Sequence, residues 1–247
     1  MNELYYKPKK DDHIVCWFSC GAASAVAAKI ICDEYKNVRI VNTPVKEEDD
    51  DNQRFRLDVQ KWIGKEIELA SSGVSSIVDV FEKRKFMSSP HGAPCTAEIK
   101  KKARRIWEKE NHFDCCVLGF TAEESNRAER FALNEGVNIY PVLVDKVLTK
   151  GDCFSILKKA GIKLPKVYYQ GYPNANCIGC VKATSPTYWN HVRKVHPEVF
   201  KERVEQSSRL GAKLVRYKGK RITLSELPLD AYGEPMKDMR HECGIFC

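Results

Sequence analysis

Cys177-Ile178-Gly179-Cys180 places two thiols three positions apart in a stretch rich in Gly, Pro and Asn. That spacing lets both thiolates point at one metal ion or iron-sulfur cluster. Structural zinc and a redox dithiol use the same spacing, so cluster, zinc and dithiol all stand at this level. A second chemical stretch is Ser19-Cys20-Gly21-Ala22-Ala23-Ser24. Small and hydroxyl residues between a buried strand and a helix expose backbone N–H groups at the positive end of the helix dipole, an anion site. The same string also suits a tight packing turn, and it lacks the Gly-Lys-Ser/Thr ending of a Walker loop. Glu124 and Arg127 follow the apolar run 115–118. Just past a strand end they are expected to touch substrate, although three-apart opposite charges also make ordinary surface ion pairs.

These residues need elements to position them. Ile14-Val15-Cys16-Trp17-Phe18 is apolar and β-prone, and the Ala-rich segment 22–31 that follows favours helix. Further strands are expected at 38–41, 67–69 and 115–120, and helices at 55–62, 97–109, 154–160 and 187–206. Strands alternating with helices predict an α/β fold, a parallel twisted sheet with helices on both faces and ligands at the carboxyl ends of its strands. Three regions are expected: an α/β nucleotide-binding domain over 1–150, an extension over 151–227 carrying the Cys-x-x-Cys loop, and a flexible tail over 228–247.

The bulk properties narrow the classes. The chain has 247 residues, 43% hydrophobic and 30% charged, enough for one substantial core. Its longest apolar runs fall well short of the roughly 20 residues a membrane span needs. The first residues lack the apolar core of a secretory signal, so the cytoplasm is the expected compartment. There, 11 cysteines point to buried thiols, a metal site or redox work rather than a disulfide framework. Cys16, Cys32, Cys115 and Cys116 sit in apolar surroundings and read as packing thiols. The net charge of +8 suits polyanions. Two basic runs, Lys100 to Arg105 and Arg216 to Arg221 around Gly219, keep nucleic acid among the partners, although solvated helix faces carry such runs more often. Oligomeric state is left open.

The loop 19–24, the stretch Gly119-Phe120-Thr121-Ala122-Glu123-Glu124-Ser125-Asn126-Arg127 and Asp58-Val59-Gln60-Lys61-Trp62 together resemble the phosphoadenosine phosphosulfate reductase family, a branch of the PP-loop ATP pyrophosphatases. Cys20 stands at the family's first loop Gly, and Thr121 at its usual Arg. Gly171-Tyr172-Pro173 before the cysteine pair is similar to adenylylsulfate reductases. There such a pair helps to hold a 4Fe-4S cluster with an earlier Cys-Cys, represented here by Cys95-Thr96. Glu242-Cys243-Gly244-Ile245 is similar to the family's catalytic tail, with Phe246 in place of His and an added Cys247.

The resemblance implies an adenine nucleotide alpha-hydrolase-like fold and an adenine nucleotide held by Ser19, Cys20, Gly21, Ser24, Lys100, Glu124, Ser125 and Arg127. It also implies Cys95, Cys177 and Cys180 as cluster ligands and Cys243 as the nucleophile. The expected reaction reduces adenylylsulfate or phosphoadenylylsulfate to sulfite through a Cys243 thiosulfonate, with a thioredoxin-like reductant. One alternative is an ATP-dependent PP-loop thiotransferase that modifies tRNA or another nucleic acid with the help of the cluster. Another is a nonenzymatic, zinc-stabilised nucleotide or nucleic-acid-binding module.

Overall fold

The computed structural model of the chain describes residues 4–89 and 92–236. Its centre is a four-stranded sheet in the order β3-β2-β1-β4, with every pair parallel. The strands are β1 (Ile14–Phe18), β2 (Val38–Asn42), β3 (Ile67–Leu69) and β4 (Cys115–Val117). Beyond β4 the ladder continues by one parallel bridge, Cys116 to Ile139. Residues Leu118 to Phe120, expected as strand, leave the sheet: Leu118 and Gly119 border a cleft, while Phe120 turns into the core.

Helices cover both faces, as the α/β reading requires. They are α1 (Ala22–Glu34), α2 (Asp51–Ile63), α3 (Ile77–Arg84), α4 (Lys102–Glu110), α5 (Ser125–Asn134), α6 (Val142–Asp145), α7 (Lys150–Lys159), α8 (Lys166–Tyr169), α9 (Pro186–Val195) and α10 (Pro197–Arg209). Alternation along β1 divides the packing. Ile14, Cys16 and Phe18 pack with α1, Phe55 and Val59 of α2, and Cys153 and Leu157 of α7. Val15 and Trp17 face the other way, onto Ala103 and Trp107 of α4 and Phe131 of α5. Cys16, Cys115 and Cys116 are buried in these layers and Cys32 is half-buried, as packing thiols would be.

A third core joins α3, Met87 and Ile99 to Tyr172, Cys177, Cys180, α9, Phe200 and a two-stranded antiparallel hairpin, β5 (Val215–Tyr217) with β6 (Lys220–Ile222). A division at residue 150 therefore does not follow the cores: α7 packs with the sheet, whereas α3 belongs with the extension. The single helix expected over 187–206 is two helices. Pro197 has no N–H and pushes His196 out of helical geometry, to φ −132 and ψ 67. The first part of the expected flexible tail is tied down. Asn190 Nδ2 donates to the Pro228 and Ala231 carbonyls, Arg193 donates to Leu227, and Gly233 N–H donates to Thr187 Oγ1. Residues 237–247, with Cys243 and Cys247, lie outside the described residues.

Candidate functional site

An open cleft lies at the carboxyl ends of β1, β2 and β4, over the N-terminus of α1. Its floor is the loop after β1. Cys20 takes a left-handed turn with φ 56, a conformation that costs a non-glycine residue and explains why the resembling family has glycine there. The Cys20 side chain is buried against Asn42, with Sγ 3.8 Å from Nδ2, and burial pushes its thiol well above the ordinary range. Cys20, expected from sequence among the nucleotide contacts, therefore does not line the cleft, unlike Ser19 and Gly21 on either side of it.

Ser24 is a strut rather than an exposed ligand. Its Oγ accepts from Ser19 N–H (3.1 Å) and the Ser19 hydroxyl (3.2 Å) and donates to the Gly21 carbonyl (2.9 Å). Ser19 itself is exposed in the cleft. Gly21 is the N-cap of α1, and the Ala23 and Ser24 amides belong to the first helical turn, whose N–H groups have no acceptor within the helix. Ala22 N–H donates to Tyr168 Oη (3.3 Å). Burial pushes the Tyr168 phenol up to about 12, so it stays protonated and keeps its own proton to donate. Gly119, at the end of β4, is forced to be glycine. A Cβ there would meet Ser24 N at 2.6 Å and Ala23 C at 2.9 Å, both backbone.

Three cations border this floor. Lys100 projects from a π-helical turn, Thr96–Lys101, and pairs with buried Glu48 at 3.2 Å. Burial raises the Glu48 carboxyl, and Lys100 beside it pulls the other way. Arg127 donates to Glu124 Oε1 (2.8 Å) and lies over Phe120, 4.9 Å from the ring centroid. Glu124 Oε2 closes a capping box on Thr121, accepting from its N–H (3.2 Å) and hydroxyl (3.3 Å). Glu124 thus anchors Arg127 and caps the turn before α5. The third cation is Lys150, at the start of α7. Its Nζ donates to the Pro173 carbonyl and to Asn174 Oδ1 (3.0 Å). Burial depresses the Lys150 ammonium below the ordinary lysine range, with Glu124 and Glu123 opposing that shift.

Of the residues expected from sequence, the cleft gathers Ser19, Gly21, Ser24, Lys100, Glu124 and Arg127. Ser125 lies elsewhere: its carbonyl accepts from Tyr5 Oη at 3.4 Å, and it lines a separate pocket with Tyr5, Tyr140 and Asp145. A capping box turns the chain between Glu124 and Ser125, which accounts for that separation. Sequence reasoning missed Asn42, Thr43, Glu48, Lys150, Tyr168 and Asn174, all of which line the cleft. Asn42-Thr43 at the carboxyl end of a buried parallel strand was the available signal. Trp17 Nε1 and Thr43 Oγ1, both buried beside the cleft, have no hydrogen-bond partner among the described residues.

The cysteine loop adjoins the cleft through Asn174, Ala175 and Asn176. It is fixed by Ile178 N–H to the Glu47 carbonyl (3.0 Å) and Cys180 N–H to Tyr188 Oη (2.8 Å). Gly179 has φ 69, and a Cβ on it would lie 3.1 Å from Val199 Cγ1 and 3.2 Å from Arg203 Cγ. Cys177 and Cys180 are buried in the third core, with half-buried Cys95 packed against it. Among the described residues, however, no three His, Cys, Asp or Glu side chains converge as metal ligands do. Cys95, Cys177 and Cys180 nonetheless share one core, beside a loop that borders the cleft at Asn174 to Asn176.

Fold and site together define an α/β chain with a cleft at the strand ends of a parallel sheet, bordered by the N-terminus of α1 and by Lys100, Arg127 and Lys150. The chain matches no protein-family model and no curated protein. Among solved structures it is similar to the U34-tRNA thiolase NcsA from Methanococcus maripaludis with its 4Fe-4S cluster. Identity is 13%, with 82% of this chain and 72% of that chain covered and a TM-score of 0.42. Among the described residues, no helix is long and apolar enough to cross a membrane.

Proposed function

We propose that the chain is an enzyme of the PP-loop type that binds ATP with its phosphates on the 19–24 loop and opens the anhydride beyond the α-phosphorus. The observation that carries this reading is the convergence of the α1 N-terminus with Lys100, Arg127 and Lys150 on one cleft. Backbone amides and three cations suit a polyphosphate better than a single sulfate. The unpartnered Trp17 Nε1 and Thr43 Oγ1 support a polar ligand at the same place. In the proposed reaction an acceptor oxygen attacks the α-phosphorus, the bond to the leaving pyrophosphate breaks, and a hydrosulfide nucleophile then displaces AMP from the acceptor, its sulfur taking the place of the oxygen. Lys100 and Lys150 hold the charge that develops on pyrophosphate, and the loop amides hold the phosphate oxygens.

Reduction of a sulfonated nucleotide is the second reading, and the Glu242-Cys243-Gly244-Ile245 tail favours it. In that case the Cys243 thiolate attacks the sulfate sulfur, the bond from sulfur to the bridging oxygen breaks, and AMP or its 3′-phosphorylated form leaves. A thioredoxin-like dithiol then releases sulfite and is itself oxidised. One experiment separates the two: ATP turnover to pyrophosphate and sulfite release from adenylylsulfate and phosphoadenylylsulfate, each with wild type and Cys243→Ser. Pyrophosphate release that survives Cys243→Ser, without sulfite, supports the first reading. Sulfite release abolished by Cys243→Ser replaces it with the second. Failure of ATP and both sulfonucleotides to bind overturns both.

A further inference from the structure

The β5–β6 hairpin carries a charge arrangement that the cleft does not use. Lys213, Arg216, Lys218, Lys220 and Arg221 are all exposed, and no Asp or Glu occurs between residues 213 and 221. Among the described residues none of the five forms an ion pair. The strand register sets Arg216 directly opposite Arg221, a like-charge pair that destabilises a two-stranded ribbon. Lys218 (φ 47) and Gly219 (φ 78) form the turn, putting another cation at the tip, with its Nζ 5.2 Å from the Tyr217 ring centroid.

The ribbon is nevertheless held firmly. Leu214, Val215 and Leu224 are buried in the same core as Cys177 and Cys180, and Arg216 N–H donates to the Thr184 carbonyl at 2.8 Å. Val215 faces that core, so pleat alternation turns Arg216 and its partner Arg221 outward. A rigid ribbon that keeps repelling cations together is built for an external polyanion.

We propose that this hairpin docks the phosphate backbone of RNA. Residues 213–221 present five Lys and Arg side chains and no carboxylate, and their one aromatic, Tyr217, is half-buried rather than free to insert into lipid. Recognition through backbone charge and shape is how proteins hold folded RNA, whose duplex bases side chains read poorly. The hairpin rests on Thr184, four residues beyond Cys180, so RNA held there lies beside the cysteine loop. This surface stands apart from the nucleotide cleft, and its test does not depend on the cleft's reaction.

The test measures anisotropy of a labelled RNA stem-loop with the full chain across a KCl series, for wild type and Arg216→Glu/Lys220→Glu. The milder Arg216→Gln/Lys220→Gln guards against misfolding, and ATP binding is the control for the cleft. Expected are salt-sensitive binding by wild type and a loss of roughly tenfold or more in the Glu variant. The log-log salt slope should flatten by about 0.7 to 0.9 for each phosphate no longer neutralised. ATP binding should be unchanged. Absence of wild-type RNA binding, equal binding by both variants and wild type, or binding of duplex DNA or phosphatidylserine vesicles as tightly as RNA would overturn the proposal.

Discussion

Replacing Lys150 with Met tests the cleft at the residue least visible from the chain alone. The ammonium has three donors; the Pro173 carbonyl and Asn174 Oδ1 take two, leaving one for a phosphate oxygen. A hydrogen bond from a charged donor contributes about 1.5–3 kcal/mol, so removing that donor should weaken ATP by roughly tenfold to a hundredfold. The two oxygens left without their partner cost about 1–3 kcal/mol of stability, read separately as a lower Tm. Asn174→Ala separates the effects: it removes one holder of Lys150 but keeps its charge, so Tm falls while ATP affinity stays within about threefold of wild type. Calorimetric titration at fixed ionic strength measures both variants. A Lys150→Met protein that binds ATP like wild type would refute the assignment of this ammonium to the phosphates.

Three further outcomes follow from the same geometry. Because burial depresses the Lys150 ammonium, ATP affinity should decline with rising pH below the ordinary lysine range, and Lys150→Arg should move that decline to higher pH. The sign for stability is opposite: a cation with a lowered folded pKa makes the native state gain stability as pH rises through the folded and then the unfolded value, which chemical denaturation against pH reads. Gly119→Ala forces a Cβ into the Ser24 and Ala23 backbone; about 1–3 kcal/mol of strain is expected, with a Tm drop of several degrees and weakened ATP binding. Cys20→Val, a β-branched residue at φ 56, should destabilise by about 1–3 kcal/mol, whereas Cys20→Gly should keep ATP affinity within about threefold of wild type, as titration would show.

The central sheet was legible because buried parallel strands are short apolar runs: β1 and β3 fall where their residues predict, and β2 gains only Asn42. The first loop was legible because few residue types fit between such a strand and a helix. Lys150, Tyr168 and Asn174 were not, since they come from separate segments and only the packing of α7 and α8 against α1 brings them to the cleft. Ser125 misled because its neighbour Glu124 does face the cleft. The capping pattern Thr121-x-x-Glu124, readable in the chain, marks the turn that separates them. The cysteine pair was legible from its spacing, whereas its packing with Cys95 in one core depends on the fold.

The π turn before α4 has a consequence for how this protein can vary. Lys102 N–H reaches back five residues to the Ala97 carbonyl, so Thr96–Lys101 holds one residue more than a regular helix would. One residue is about 100° of helical rotation. That offset acts as a phase shifter: upstream it sets Lys100 toward the cleft, and downstream it sets Ala103 and Trp107 toward the sheet. Deleting a residue within the turn would restore a regular helix and force a choice between those two orientations. Keeping the extra residue lets cleft and core change their side chains independently along one continuous rod.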